Sequence, residues 1–134
     1  MGETYARVTV ANEKKSRTKR LLVDTGSTLT WLRREFLETL GVRVMEQEEF
    51  ELMDGRVVTR EISEARIAFG GKTRTTNVVF AERGESKVLG MVALEALALA
   101  VDPVRRKLRP VRAIKACSGV RWVPGAESVR SVPT

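Results

Sequence analysis

The sequence predicts an all-β domain, a small closed barrel carrying one or two short helices. Three observations predict it. Apolar and polar residues alternate through most of the first 80 positions, as in strands with one buried face. Turn dipeptides, Asp54-Gly55 and Gly70-Gly71, punctuate that alternation at hairpin spacing. Helical spacing of apolar residues is confined to two short segments. At 134 residues, 43% hydrophobic and 31% charged, the chain fits one folded domain and is too apolar for disorder.

Thr4 to Ala11 sets Tyr5, Arg7 and Thr9 on one face and Ala6, Val8 and Val10 on the other, which reads as a half-buried strand. The polar stretch Asn12 to Ser16 is a hairpin connection. Thr18 to Val23 resumes as a strand, and its apolar end Leu21-Leu22-Val23 implies burial on both faces. Asp24-Thr25-Gly26-Ser27 breaks that strand. Arg33 to Leu40 is a helix candidate, with Leu32, Phe36, Leu37 and Leu40 at helical spacing and Gly41 as its stop. Val42 to Met53 and Val57 to Ala68 are extended and flank Asp54-Gly55, a hairpin tip. Gly70-Gly71 makes a second tight turn into the strand Thr73 to Ala81, and Glu82 to Lys87 is a polar loop. Val88-Leu89-Gly90 precedes a helix over Met91 to Leu97. Ala98 to Val101, a turn at Asp102-Pro103, and Lys107 to Val111 form a final hairpin. Periodicity ends there, so the expected division is a domain over 1–111 and an irregular or partly disordered extension over 112–134, with Trp122 its only large anchor.

Composition removes several chemistries. The chain has no histidine, which excludes Ser-His-Asp and Cys-His catalysis and zinc sites built on histidine. One cysteine, Cys117, rules out an intrachain disulfide and reads as a small buried or tail residue. No metal and no cofactor are expected. The net charge of +7 gathers at Lys14, Lys15, Arg17, Lys19, Arg20 and at Arg105, Arg106, Lys107, Arg109, Arg112, Lys115. These runs read as solvated surface, because the seven aromatics are not interleaved with them as a nucleic-acid binder would require. The opening Met1-Gly2-Glu3-Thr4-Tyr5 enters the first strand directly, so no leader is expected, and Ala6 stands where a myristoylation signal wants Ser or Thr. The apolar stretch Val88 to Val101 is too short to span a bilayer and contains Glu95. The expectation is a soluble, cytoplasmic protein.

The chemistry concentrates in Leu21-Leu22-Val23-Asp24-Thr25-Gly26-Ser27. By average composition such a match arises by chance in roughly one chain in a thousand of this length. A carboxylate directly after a buried strand sits at the rim of the core, where its charge is costly unless paired, hydrogen-bonded or neutralised. Gly26 permits tight backbone geometry and close approach of another chain, and Thr25 and Ser27 place hydroxyls beside the carboxylate. Such a site suits one half of a carboxylate pair.

These residues resemble the active-site loop of clan AA aspartic proteases, the group of pepsins and retroviral proteases. Two further segments are similar to the retroviral type in order and spacing. Val88-Leu89-Gly90 with its helix resembles the element beneath the catalytic loop. Leu99-Ala100-Val101-Asp102-Pro103 leading to Lys107-Leu108-Arg109-Pro110 resembles the closing hairpin of microbial single-domain relatives. The resemblance covers about residues 5 to 111. It implies a barrel of the acid-protease type and an aspartic endopeptidase in which two copies of the Asp24 loop face each other and activate a water. The chain has three aspartates, Asp24, Asp54 and Asp102, and only Asp24 lies in a Thr-Gly context, so the second carboxylate must come from another copy in a twofold homodimer.

By the same resemblance, Thr25 braces the paired loops, Gly26 brings backbone amides to the dyad, and Val88, Leu89 and Gly90 support the loop. Met53, Asp54, Gly55 and Arg56 form a mobile flap over an extended peptide substrate, with a charged tip unlike the glycine-rich viral flaps. Leu29, Trp31 and Val57 are candidate pocket walls. Ser27, often alanine in viral enzymes, is expected to donate to the carboxylate, lower the pair's apparent pKa values and set an optimum on the acid side of neutral. Partners are thus a second copy and a peptide or protein substrate, with neither membrane nor nucleic acid expected. The competing readings are a catalytically silent dimerisation or binding module of the same fold, and, more weakly, a basic nucleic-acid-binding barrel.

Overall fold

The computed structural model describes residues 2–111. The expected extension 112–134, with Cys117 and Trp122, lies outside the described residues. Among the described residues, nine strands and two short helices follow one another in chain order: β1 Tyr5–Asn12, β2 Lys15–Val23, β3 Thr30–Arg33, α1 Arg34–Thr39, β4 Glu46–Glu51, β5 Val57–Phe69, β6 Lys72–Ala81, β7 Val88–Leu89, α2 Met91–Ala96, β8 Leu99–Asp102 and β9 Lys107–Pro110. The mostly-β expectation holds.

Seven strands form one sheet in the order β1-β2-β7-β3-β6-β5-β4, and β8 and β9 make a separate two-stranded ribbon. β1 also pairs with β5 through Thr9↔Ala68, Val10↔Ile67 and Ala11↔Arg66, so the sheet closes on itself. The result is a ring of strands and not the full closed barrel expected from the sequence. Only three residue pairs join β1 to β5, and the first half of β5 (Val57 to Glu61) pairs with β4 alone. The cause is length: at about 3.3 Å per residue, a strand of 13 residues outruns its neighbours in the ring.

Alternation sets which side chains enter the core. Ala6, Val8 and Val10 of β1 are buried while Tyr5 and Arg7 face solvent, as the period of two requires. Leu32, Leu37, Ile67, Val78, Phe80, Leu89, Leu94 and Leu97 complete a continuous core. Each such side chain contributes about 1.5–3 kcal/mol by leaving water. The helices bury one face apiece, Phe36 and Leu37 on α1 and Ala93 and Leu94 on α2. α1 begins one residue later than expected, because Arg33 is the last residue of β3, a strand the periodicity does not reveal.

The run Leu21-Leu22-Val23 departs from the expectation of burial on both faces. Leu21 is fully buried, but Leu22 and Val23 are half-buried. β2 is flanked by β1 and β7 within the sheet, so its edges are paired while Leu22 and Val23 stay partly open to solvent. No helix among them is long and apolar enough to cross a membrane.

Candidate active site

Three strands set the position of Asp24. β7 lies between β2 and β3, parallel to the first (Leu22↔Val88, Val23↔Leu89) and antiparallel to the second (Trp31↔Val88). The link from β2 to β3, residues 24–29, therefore arches over the end of β7. Asp24 is held there by its backbone, donating N–H to the Leu89 carbonyl at 3.0 Å, while Val23 N–H donates to Thr4 at 2.8 Å. Beyond Asp24 the chain turns sharply. Gly26 N–H donates to Asp24 Oδ1 (2.9 Å) and Ser27 N–H to the Asp24 carbonyl (3.1 Å).

The far side of the arch rests on α2. The first amides of a helix have no partner within it, and here Met91 N–H donates to the Ser27 carbonyl (2.7 Å) and Val92 N–H to Thr28 (3.0 Å). Gly90 N–H donates to the buried hydroxyl of Thr30 at 3.0 Å. A Cβ at Gly90 would stand 2.3 Å from the Leu29 carbonyl oxygen and 2.9 Å from that of Ser27, so only glycine lets the loop lie this close. Val88, Leu89 and Gly90 thus lie directly beneath the Asp24 loop. Thr30, whose hydroxyl completes this support, was not among the residues singled out by the sequence, and its place in a four-residue strand offered no signal.

Asp24 is half-buried, while Thr25 and Gly26 at the tip are exposed. Ser27 corrects one expectation. Its hydroxyl donates to the Leu29 carbonyl at 2.7 Å and not to the Asp24 carboxylate, because the turn at Gly26 carries residue 27 past the carboxylate and toward the next bend. The other two aspartates are occupied elsewhere. Asp54 accepts from the Arg56 backbone N–H and Nε, and Asp102 from the Arg105 backbone and guanidinium; these contacts hold both carboxyls below the usual carboxylate range. Among the described residues Asp24 is the aspartate without an ion-pair partner. Among the described residues no group of three or more His, Cys, Asp and Glu could hold a metal ion.

Met53, Asp54, Gly55 and Arg56 form the tip of the β4–β5 hairpin, closed by Leu52 N–H to Arg56 O (2.8 Å) and Gly55 N–H to Leu52 O (2.9 Å). Gly55 takes φ +89°, which other residues rarely adopt. Met53 is fully exposed and Asp54 is ion-paired with Arg56, so the charged tip is locally neutral. Near its tip the hairpin meets the sheet through Phe50 of β4, edge-on to Trp31 of β3 at 5.2 Å between centroids. Of the other candidate pocket walls, Leu29 is half-buried in the loop and Val57 is exposed near the tip.

A loop of this geometry presents one carboxylate, backed by an N–H on one oxygen, at an exposed turn. Apolar side chains around it, Leu22, Val23, Leu29 and Val92, are incompletely buried. A search of curated proteins returns no match. Residues 6–93 match a protein-family model described as aspartyl protease.

Proposed function

Because this chain belongs to the retropepsin-like aspartyl protease family, we propose that it is an aspartic endopeptidase that works as a homodimer, with one Asp24 from each copy. The observation that carries this reading is the way β7, Gly90 and α2 hold an exposed Asp24 turn whose carboxylate has no acidic partner among the described residues. Two such turns meeting about a twofold axis give two carboxylates sharing one proton, since like charges this close cannot both ionise. The ionised member takes a proton from a water held between them, and the water oxygen bonds to the peptide carbonyl carbon. The protonated member gives its proton to the carbonyl oxygen. Collapse of the tetrahedral diol breaks the C–N bond as the amide nitrogen receives the proton taken from water and the other carboxylate takes one from a diol hydroxyl, leaving an acid, an amine and a dyad with one proton.

The remaining parts support that cycle. Thr25, at the exposed tip, braces one loop against the other, and the partly exposed Leu22, Val23, Leu29 and Val92 supply apolar contact between copies. The hairpin tip Met53–Arg56 closes over an extended peptide, pairing with its backbone. The protease unit is residues 1–111, with 112–134 an extension to it.

Cleavage of a mixed peptide library from acid to neutral pH tests the proposal, with wild type beside Asp24→Asn. Wild type is expected to cut, with activity highest on the acid side where the dyad holds one proton, and Asp24→Asn is expected to fall to background. No cleavage at any pH by a folded dimer, and none after truncation at Lys115 to remove an inhibitory tail, would leave a silent dimerisation or binding module instead.

A further inference from the structure

Away from the Asp24 turn, two arginines and three glutamates tie together elements far apart in sequence. Arg34, the first residue of α1, places Nη2 2.6 Å from Glu61 on β5 and 3.1 Å from Glu82 in the loop between β6 and β7. Arg60 on β5 grips Glu85 of the same loop with Nη2 at 2.5 Å and Nε at 3.1 and 3.2 Å from its two oxygens. Glu85 also accepts the Glu82 backbone N–H at 2.8 Å, which fixes the loop around the carboxylate. Arg60 and Glu85 are only 19% and 21% exposed, so water screens this pair less than an ordinary surface bridge.

The place of these contacts gives them a use. From Ile62 to Phe69, β5 pairs with β6 in the body of the sheet; from Val57 to Glu61 it pairs only with β4. Ile62 is thus where the hairpin arm leaves the body, and Glu61 and Arg60 are the first two residues beyond it. At about 3.3 Å per residue the tip at Gly55 stands roughly 20–25 Å past Ile62, against about 7 Å for Arg60. The arm also touches the sheet nearer its tip, Phe50 against Trp31, so Arg60 fixes it at the root and Phe50 farther out. On the other side of the contact, the loop of Glu82 and Glu85 runs directly into β7 and Gly90, on which the Asp24 turn rests.

We propose that the Arg60–Glu85 pair, backed by Arg34 with Glu61 and Glu82, is a positioning brace that sets the height of the hairpin arm over the Asp24 turn. These residues touch neither water nor peptide in the reaction; they act through the arm and are positioning residues. The inference rests on the proposed protease reading for its effect on catalysis, but the brace itself is measurable without activity.

Amide hydrogen exchange of the full chain, read together with steady-state kinetics on a peptide from the library, tests it. In Glu85→Gln, amides 46–60 are expected to exchange about tenfold faster while those of β1, β2 and β6 keep their rates, and KM rises several-fold with a smaller change in kcat. Arg60→Lys keeps the charge but loses the two-pronged grip, and an intermediate effect is expected. Exchanging the partners (Arg60→Glu with Glu85→Arg) should recover part of both losses. Unchanged exchange over 46–60, or acceleration spread evenly over the sheet, overturns the brace even if wild type cleaves. Faster exchange confined to the arm, in a protein that cuts nothing, upholds the brace and sinks the protease reading alone.

Discussion

At position 90 a single missing Cβ decides whether the Asp24 turn can form. The ideal Cβ of an alanine there would lie 2.3 Å from backbone oxygen, which cannot swing aside as a side-chain end could. Gly90→Ala is expected to destabilise the fold by about 3 kcal/mol, at the upper end for overpacking, and to abolish cleavage; urea denaturation and the peptide assay check both. Ser27 gives the opposite lesson. Its position beside Asp24 in the sequence suggested a hydroxyl donating to the carboxylate, yet the turn sends it to Leu29 O. Ser27→Ala should therefore cost about 1 kcal/mol of stability and leave the shape of the pH–rate profile unchanged. A shift of its acid limb would show that the hydroxyl reaches the carboxylate in the working enzyme.

Among the elements, the β4–β5 arm shows how a hairpin legible from Asp54-Gly55 and its flanking alternation acquires a job through distant contacts. Its partners in space are Trp31, Arg34 and Glu85, none of them near it in sequence. The Arg60 guanidinium holds the Glu85 carboxyl below the ordinary glutamate range, against the opposing effect of burial and with help from the Glu82 N–H. A depressed carboxyl stabilises the fold at pH values above its unfolded pKa and loses that contribution as pH falls through its folded one. The difference in arm exchange between wild type and Glu85→Gln should thus be constant near neutrality and vanish on acidification below the ordinary glutamate range. If the difference persists at that pH, charge on Glu85 is not what holds the arm.

For the molecule as a whole, the incomplete burial of Leu22, Val23, Leu29 and Val92 near the Asp24 turn bears on the proposed assembly. The proposed homodimer puts half of the site on each copy, so activity should fall more steeply than enzyme concentration on dilution. Sedimentation run over the same concentrations should show dimer giving way to monomer in step. A stable monomer at micromolar concentration with full activity would sink the shared site.

Sequence alone determined what depends on neighbours along the chain. The faces of β1, the hairpin tips, the two helix positions and the Asp24 motif follow from side-chain period and turn chemistry, which act over a few residues. Tertiary structure decided what depends on closure. β3 and β7 are four and two residues long, too short for any period to mark, and exist because β2, β7, β3 and β6 meet side by side. The parallel pairing of Leu22 with Val88, the seat of the Asp24 turn on Gly90 and the reach of Arg34 to Glu82 each join residues dozens of positions apart. No local pattern encodes them, because their free energy appears only once the chain has folded back on itself.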